Sequence, residues 1–206
     1  MGRIRKITNV RDTFYILTNG KETEKNYFEL LKTKKSIYKV VVKYLNDDPL
    51  QLVKHALEIS DANQVWCVFD IDNSYAEGRL IPAINLANES RVVNIAFSNV
   101  AFEVWLLSHY KKTENPMNNS KLIEEMNELL QNTLGLKDKY NKASKELLEK
   151  HFIPKISTAV QNSKIVYQKR VLEHKNRYGD SSNYEIWKWN SCSNVFQLIE
   201  ALKLSK

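Results

Sequence analysis

The spacing of polar and apolar positions changes near residue 110, and the change divides the chain into two kinds of structure. Before it, short apolar runs alternate with amphipathic stretches. "TFYILT" at 13–18 reads as a strand, "ETEKNYFELLKTKK" carries Tyr27, Leu30 and Leu31 at helical spacing, and "SIYKVVVKYLN" alternates as a β-branched strand. In "DPLQLVKHALEIS", Asp48 is placed to cap a helix with Pro49 in its first turn, and Leu52, Val53, Ala56 and Leu57 make the apolar stripe. The strand "QVWCVFD", the helix "EGRLIPAINLANES", the strand "RVVNIAFS" and the helix "AFEVWLLSHY" complete the series. Strands and helices in strict alternation predict an α/β fold with a mainly parallel sheet covered on both faces.

From residue 118 onward the pattern is helical. "NSKLIEEMNELLQNTL", "NKASKELLEKHF" and "IPKISTAVQNSKIVYQKRVLEHKN" read as amphipathic helices, and "SNVFQLIEALKLS" closes the chain with Ser193 or Asn194 at its cap. No strand is expected in this half. The tract at 177–194, "RYGDSSNYEIWKWNSCSN", reads as an ordered loop, because Tyr184, Trp187 and Trp189 are too apolar for a free linker. The organisation expected is an α/β domain over residues 1–112 with a basic helical extension over 113–206 packed on it.

Composition adds three things to this picture. A chain of 206 residues, 43% hydrophobic and 10% aromatic, is long and apolar enough to build a core. It has no apolar run near the roughly 18 residues of a membrane helix, and "MGRIRKITNVRD" lacks the apolar segment of a signal peptide, so a cytoplasmic protein without membrane partners is expected. Cys67 and Cys192 have no CxxC spacing and are expected as unbridged thiols.

The net charge of +7 is uneven: residues 111–206 carry 17 Lys/Arg against 11 Asp/Glu, and residues 1–110 carry 14 against 13. A basic excess gathered in one half suits a polyanionic partner, most commonly nucleic acid. In "SKIVYQKRVLEHKNRYG", Lys169 and Arg170 stand among further basic residues interleaved with Tyr167 and Tyr178. Such a helix suits a nucleic-acid backbone and unpaired bases, and it equally suits a solvated surface.

The chemistry concentrates at strand ends. "CVFDIDN" puts Asp70 and Asp72 at the end of an apolar strand, and the period of two sends both carboxylates to one face. Two carboxylates about 4 Å apart repel by roughly 4 kcal/mol at an effective dielectric of 20. A divalent cation compensates such a pair, and oxygen-only ligands favour magnesium, manganese or calcium. The plainer alternative is that Asp70 ends the strand while Asp72 and Asn73 form a turn. In "SNVAFEVWLLSHY", Ser98 or Asn99 is placed to cap a helix, and Glu103 stands one turn in among apolar neighbours. It must therefore be paired, with a metal edge or with a Lys or Arg. His109 on the same helix is a candidate for a phosphate contact, for an acid or for a structural hydrogen bond. Lys21 and Lys25 flank a turn where the N–H groups of a starting helix suit a phosphate.

Together "YILTNGKETEKNYF", "VWCVFDIDN" and "AFSNVAFEVWLLSHY" resemble the three motifs of RloB-like proteins, AbiLii-type members of the TOPRIM superfamily, and "SNVFQLIEAL" resembles their closing segment. The resemblance implies a TOPRIM-like α/β domain with a helical extension and metal-dependent nuclease activity in anti-phage defence of the abortive-infection kind. Related proteins are encoded beside restriction systems or beside an ATPase partner of the SMC or OLD type. It further implies that Asp70 and Asp72 hold Mg2+ or Mn2+ with Glu103 in support. The first motif of the family usually reads Glu-Gly-x-x-Thr-Glu, and here Asn19 replaces its leading Glu while Gly20, Thr23 and Glu24 stay in place. An Asn carbonyl can face a metal but cannot take up a proton, so Glu24, or Glu22, is the expected substitute. If neither reaches, the alternative is a non-catalytic TOPRIM-like module that binds nucleic acid or the ATPase.

Overall fold

The structure is a computed structural model that describes residues 12–32, 38–71, 73–180 and 184–203. Its strands are β1 (Thr13–Thr18), β2 (Lys39–Tyr44), β3 (Gln64–Asp70), β4 (Val93–Asn99) and β5 (Cys192–Ser193). They form one sheet in the order β2-β1-β3-β4-β5, in which the first four are parallel and β5 is antiparallel to β4. The arrangement is consistent with a TOPRIM-like α/β fold. The strand expected nowhere in the second half is β5, two residues long and too short to carry a period of its own.

Helices α1 (Thr23–Lys32), α2 (Pro49–Leu57), α3 (Leu80–Asn88) and α4 (Glu103–Ser108) follow successive strands. Strand alternation sorts the core into two layers. Phe14, Ile16, Trp66, Val68 and Ala96 meet α1 and α4 on one face, whereas Leu17, Val65, Cys67, Phe69 and Phe97 meet α2 and α3 on the other. The central strand β3 is buried on both faces from Val65 to Phe69, which is why "VWCVF" reads as a continuous apolar run. Asp48 caps α2 as expected, accepting from the N–H groups of Leu50 and Gln51 at 2.9 and 3.1 Å.

After α4 come α5 (Asn119–Glu128), the short α6 (Lys145–Leu147), the long α7 (Ile156–Tyr178) and α8 (Val195–Ala201). The first layer is completed by Met126, Phe152, Val160 and Ile199 from these elements, so residues on both sides of 112 share it. Helix α4 lies beneath them with all six residues buried. It begins at Glu103, later than a cap at Ser98 or Asn99 requires. Asn99 is buried and donates instead to the carbonyls of Ile186 and Trp187, and Ser98 bonds Ser193 across the β4–β5 pair. Asn194 precedes α8 but turns its amide to the β4 edge, accepting from Phe97 N–H at 2.6 Å and donating to Ile95 O at 3.0 Å. Cys67 and Cys192 are buried free thiols. Trp189 is buried and Trp187 partly so, stacked on Tyr75 with centroids 4.4 Å apart.

The strand order reverses between β1, which is followed by β2 on its outer side, and β3 on its inner side. In an open parallel sheet this reversal leaves a crevice at the carboxyl ends of the two strands, here Thr18 and Asp70.

Candidate acid centre

At that crevice β1 ends in a tight exit. Thr18 Oγ1 donates to Gly20 O at 3.1 Å, and the Asn19 N–H donates to Val68 O on β3 at 3.2 Å. Helix α1 starts three residues later, and Glu24 in its first turn folds back over the exit. A Cβ added to Gly20 would stand 1.9 Å from Glu24 Cδ, so only glycine leaves room for this carboxyl. Reach, which the sequence does not show, is thus supplied by a side chain that doubles back. Glu24 is 6% exposed. Burial raises its pKa to about 7, against the pull of its own backbone N–H; Glu103 pushes it further up and Lys142 draws it down. The start of α1 therefore already faces a carboxyl, which competes with any phosphate there.

Glu103 enters from α4 and is buried, with its side chain 2% exposed. Its Oε1 accepts from Tyr140 OH at 3.1 Å and pairs with Lys142 Nζ at 3.0 Å. Both partners belong to residues 134–144, a strap without helix or strand between α5 and α6. The strap is tied to α1 by Thr23 Oγ1, which donates to Lys142 O at 3.1 Å, and by Asn26 Nδ2, which donates to Ala143 O at 3.4 Å. Tyr140 is held well above the ordinary phenol range by burial and then by Glu103. Burial depresses Lys142, but Glu103, Asp70 and Glu24 outweigh it and raise its pKa. Carboxylates from α1, from the exit of β3 and from α4 thus all act on one ammonium, and Glu103 is the one in contact with it. Tyr140 and Lys142 are the residues that sequence reasoning missed. The only signal was a tyrosine inside the polar run "LKDKYNKAS".

The other sequence candidates fall differently. Asp70 closes β3 half-buried, opposite Ser98 in register, and Asp72 lies outside the described residues. Lys21 and Glu22 are exposed in the turn before α1 and Lys25 in its first turn, and Asn19 is half-buried. His109 is a correction: it is fully buried, its Nε2 accepting from Tyr27 OH at 3.0 Å while Nδ1 lies 3.1 Å from the carbonyls of Trp105 and Leu106. Burial lowers its pKa to about 4, so it stays neutral in the core and has no face for a phosphate. Arg170 is a brace, with Nη2 on the carbonyls of Glu114 and Asn190 at 2.9 and 3.0 Å and Nη1 on Glu173 at 3.0 Å. Lys169 is exposed and pairs with Glu114.

Hard oxygen donors are the right kind for Mg2+ or Mn2+. Yet among the described residues no three acidic, His or Cys side chains are grouped closely enough to hold an ion. Glu103 is instead paired with Lys142. A second concavity of about 610 Å3 opens beside the β4 edge, lined by Trp66, Asn85, Tyr184, Trp187, Asn194 and Gln197 among others. It contains no charged side chain and none of the acid-centre residues.

Among the described residues no helix is long and apolar enough to cross a membrane. No curated protein and no solved structure matches the chain. The family model of RloB-like proteins matches residues 14–202, from the second residue of β1 to the residue after α8, and the chain belongs to the RloB-like family.

Proposed function

We propose that this RloB-like chain is a nuclease of the TOPRIM type, acting in the cytoplasm in anti-phage defence, with the acid centre as its catalytic site. The observation that carries the reading is the burial of Glu24 and Glu103 beside the sheet's switch point, where Lys142 pairs with Glu103 and is also under the charge of Asp70 and Glu24. Buried carboxylates are costly, and a fold that needed only stability would use apolar side chains in their place. Glu24 fills the role left open at Asn19. A carboxyl that ionises near neutrality exchanges protons readily, which suits it to take a proton from an attacking water or return one to a leaving oxygen. Asp70 and Glu103 keep the centre acidic. Mg2+ or Mn2+ is the proposed cofactor. The exposed Lys21 and Lys25 beside the crevice would meet the phosphates of DNA or RNA, and an SMC- or OLD-type ATPase is the proposed protein partner.

The test is cleavage of single- and double-stranded DNA and RNA by the full chain with Mg2+ or Mn2+. Glu24→Gln is expected to cut at least a hundredfold more slowly. Gly20→Ala should lose a similar amount while staying folded, because its Cβ displaces only the end of the Glu24 side chain. Asn19→Glu should change the rate little if Glu24 already serves. Cleavage untouched by Glu24→Gln and Asp70→Asn would reject this site. Salt-sensitive binding without cleavage of any substrate would leave a non-catalytic nucleic-acid module.

A further inference from the structure

The concavity at the β4 edge shares no residue with the acid centre and has the opposite chemistry, neutral where the centre is charged. We propose that it is a binding site for a nucleobase carrying an amino N–H beside a ring nitrogen, as adenine and cytosine do, held by the backbone of Val93 and Ile95. The site is independent of the nuclease reading.

The backbone supplies the first observation. Strand β5 pairs only with Ser98 and Asn99, so the earlier part of β4 has no strand beside it. Val65 N–H bonds Val92 O and Ile71 N–H bonds Ser98 O, which sets the even-numbered residues of β4 toward β3 and turns the odd-numbered backbone groups outward. Toward the carboxyl end of that edge Asn194 takes Phe97 N–H, Phe97 O and Ile95 O; at the other end Ser90 Oγ takes Val93 N–H at 3.1 Å. One acceptor and one donor are left between them, Val93 O and Ile95 N–H, both from residues that line the cavity. A docking strand needs a longer run of free groups. The edge of a base needs this couple alone: its amino N–H donates to Val93 O, and its ring nitrogen accepts from Ile95 N–H. The size agrees, since about 610 Å3 lies within the roughly 300–1,000 Å3 of small-ligand sites, with walls from α3, α8 and the segment before β5. The lining carries no charged side chain although 27% of the chain is charged, so it suits a neutral heterocycle and offers a phosphate nothing. Two of its rings are also fixed before any ligand arrives. Trp187 is stacked on Tyr75 at an interplanar angle of 8°, and Tyr167 stands edge-on to Trp189 with centroids 5.4 Å apart, which leaves flat apolar surface without an ordering cost.

The experiment is titration of the full chain with adenosine, cytidine, adenosine monophosphate and the dimethylamino analogue of adenosine, read by calorimetry and by the amide resonance of Ile95. Adenosine or cytidine should bind with a Kd of about 1 mM or tighter and shift the Ile95 amide, and the monophosphate should bind within about threefold of adenosine. The dimethylamino analogue keeps the rings but has no N–H for Val93 O, and should bind at least about tenfold more weakly. Asn85→Trp, at an exposed lining position on α3, should abolish binding by filling the cavity; should that protein not fold, the analogue decides alone. No saturable binding of either nucleoside, an analogue that binds as well as adenosine, or an Ile95 amide unmoved at saturation would overturn the inference. So would a monophosphate bound more than about tenfold tighter than adenosine, since its phosphate would then be the group recognised. Where adenosine does bind this way, displacement by single-stranded oligodeoxyadenylate places the base in a nucleic-acid strand, and binding unaffected by it makes the free nucleoside the ligand.

Discussion

The acid centre and helix α7 hold charge in opposite ways. At the centre, Glu24 and Glu103 are taken out of water, and a half-exposed lysine pairs with Glu103. Along α7, most of the cations stay in solvent and pair with acids on their surroundings: Lys164 with Glu200, Lys169 with Glu114, Lys175 with Asp180. The consequences for the acids differ in sign. Burial pushes Glu24 up, whereas the Lys169 ammonium holds Glu114 below the usual carboxylate range. The basic excess of the second half is thus partly committed, but cheaply, since exposed pairs contribute about 0–1 kcal/mol and a polyanion can compete for them. The buried carboxylates cannot exchange partners at so small a cost. Charge counted along a sequence measures quantity; burial decides what the charge is free to do.

The contrast can be tested from its strongest point downward. Asp70→Asn is expected to slow any cleavage about a thousandfold, on the order of 4 kcal/mol of barrier, while Lys164→Gln on α7 leaves the rate alone; single-turnover kinetics with both proteins would show it. Similar losses in the two would erase the distinction between the regions.

Next in size is the pH dependence set by Glu24. Its folded pKa of about 7 lies above its ordinary 4.5, so the native state holds the extra proton between those values. Stability from this group is then fullest below about pH 4.5 and is lost as pH rises through 7, by on the order of 3 kcal/mol. Urea unfolding of Glu24→Gln should lack this decline and should show a protein more stable than wild type at pH 8. A wild-type curve equally steep in the variant would assign the decline elsewhere.

Arg170 separates the braced cation on α7 from its exposed neighbours. Arg170→Ala leaves the carbonyls of Glu114 and Asn190 without its guanidinium and should cost about 2 kcal/mol in urea unfolding. Lys169→Ala, losing one exposed pair, should cost no more than about 0.5 kcal/mol. Equal costs would show that α7 carries its charges uniformly. The smallest effect is expected on nucleic-acid affinity. Lys169→Glu should weaken it by about 1 kcal/mol or less at moderate salt and lower the salt slope by about one unit, as read by fluorescence anisotropy.

Much of the fold was legible because period is a local property. "VWCVF" had to be a strand buried on both faces, Asp48-Pro49 had to start a helix, and the alternation up to residue 110 left a parallel sheet as the solution. The sequence by itself also determined that carboxylates would stand at the exit of β3, on the helix after β1 and inside an apolar helix, and that Glu103 would need a partner. It did not choose the partner. Lys142 is 39 positions away from Glu103 in a strap with no period, and only the docking of that strap on α1 brings the two together. Nor could it show that Glu24 doubles back over Gly20, since reach depends on a rotamer that the empty space above a glycine permits. His109 and Arg170 looked available in one dimension and are consumed in three, one by the core and one by two backbone carbonyls. Local spacing fixes which face a residue occupies; the distance to a counter-charge, and with it burial, pairing and protonation, is set by chain segments remote in sequence, and that is decided only on folding.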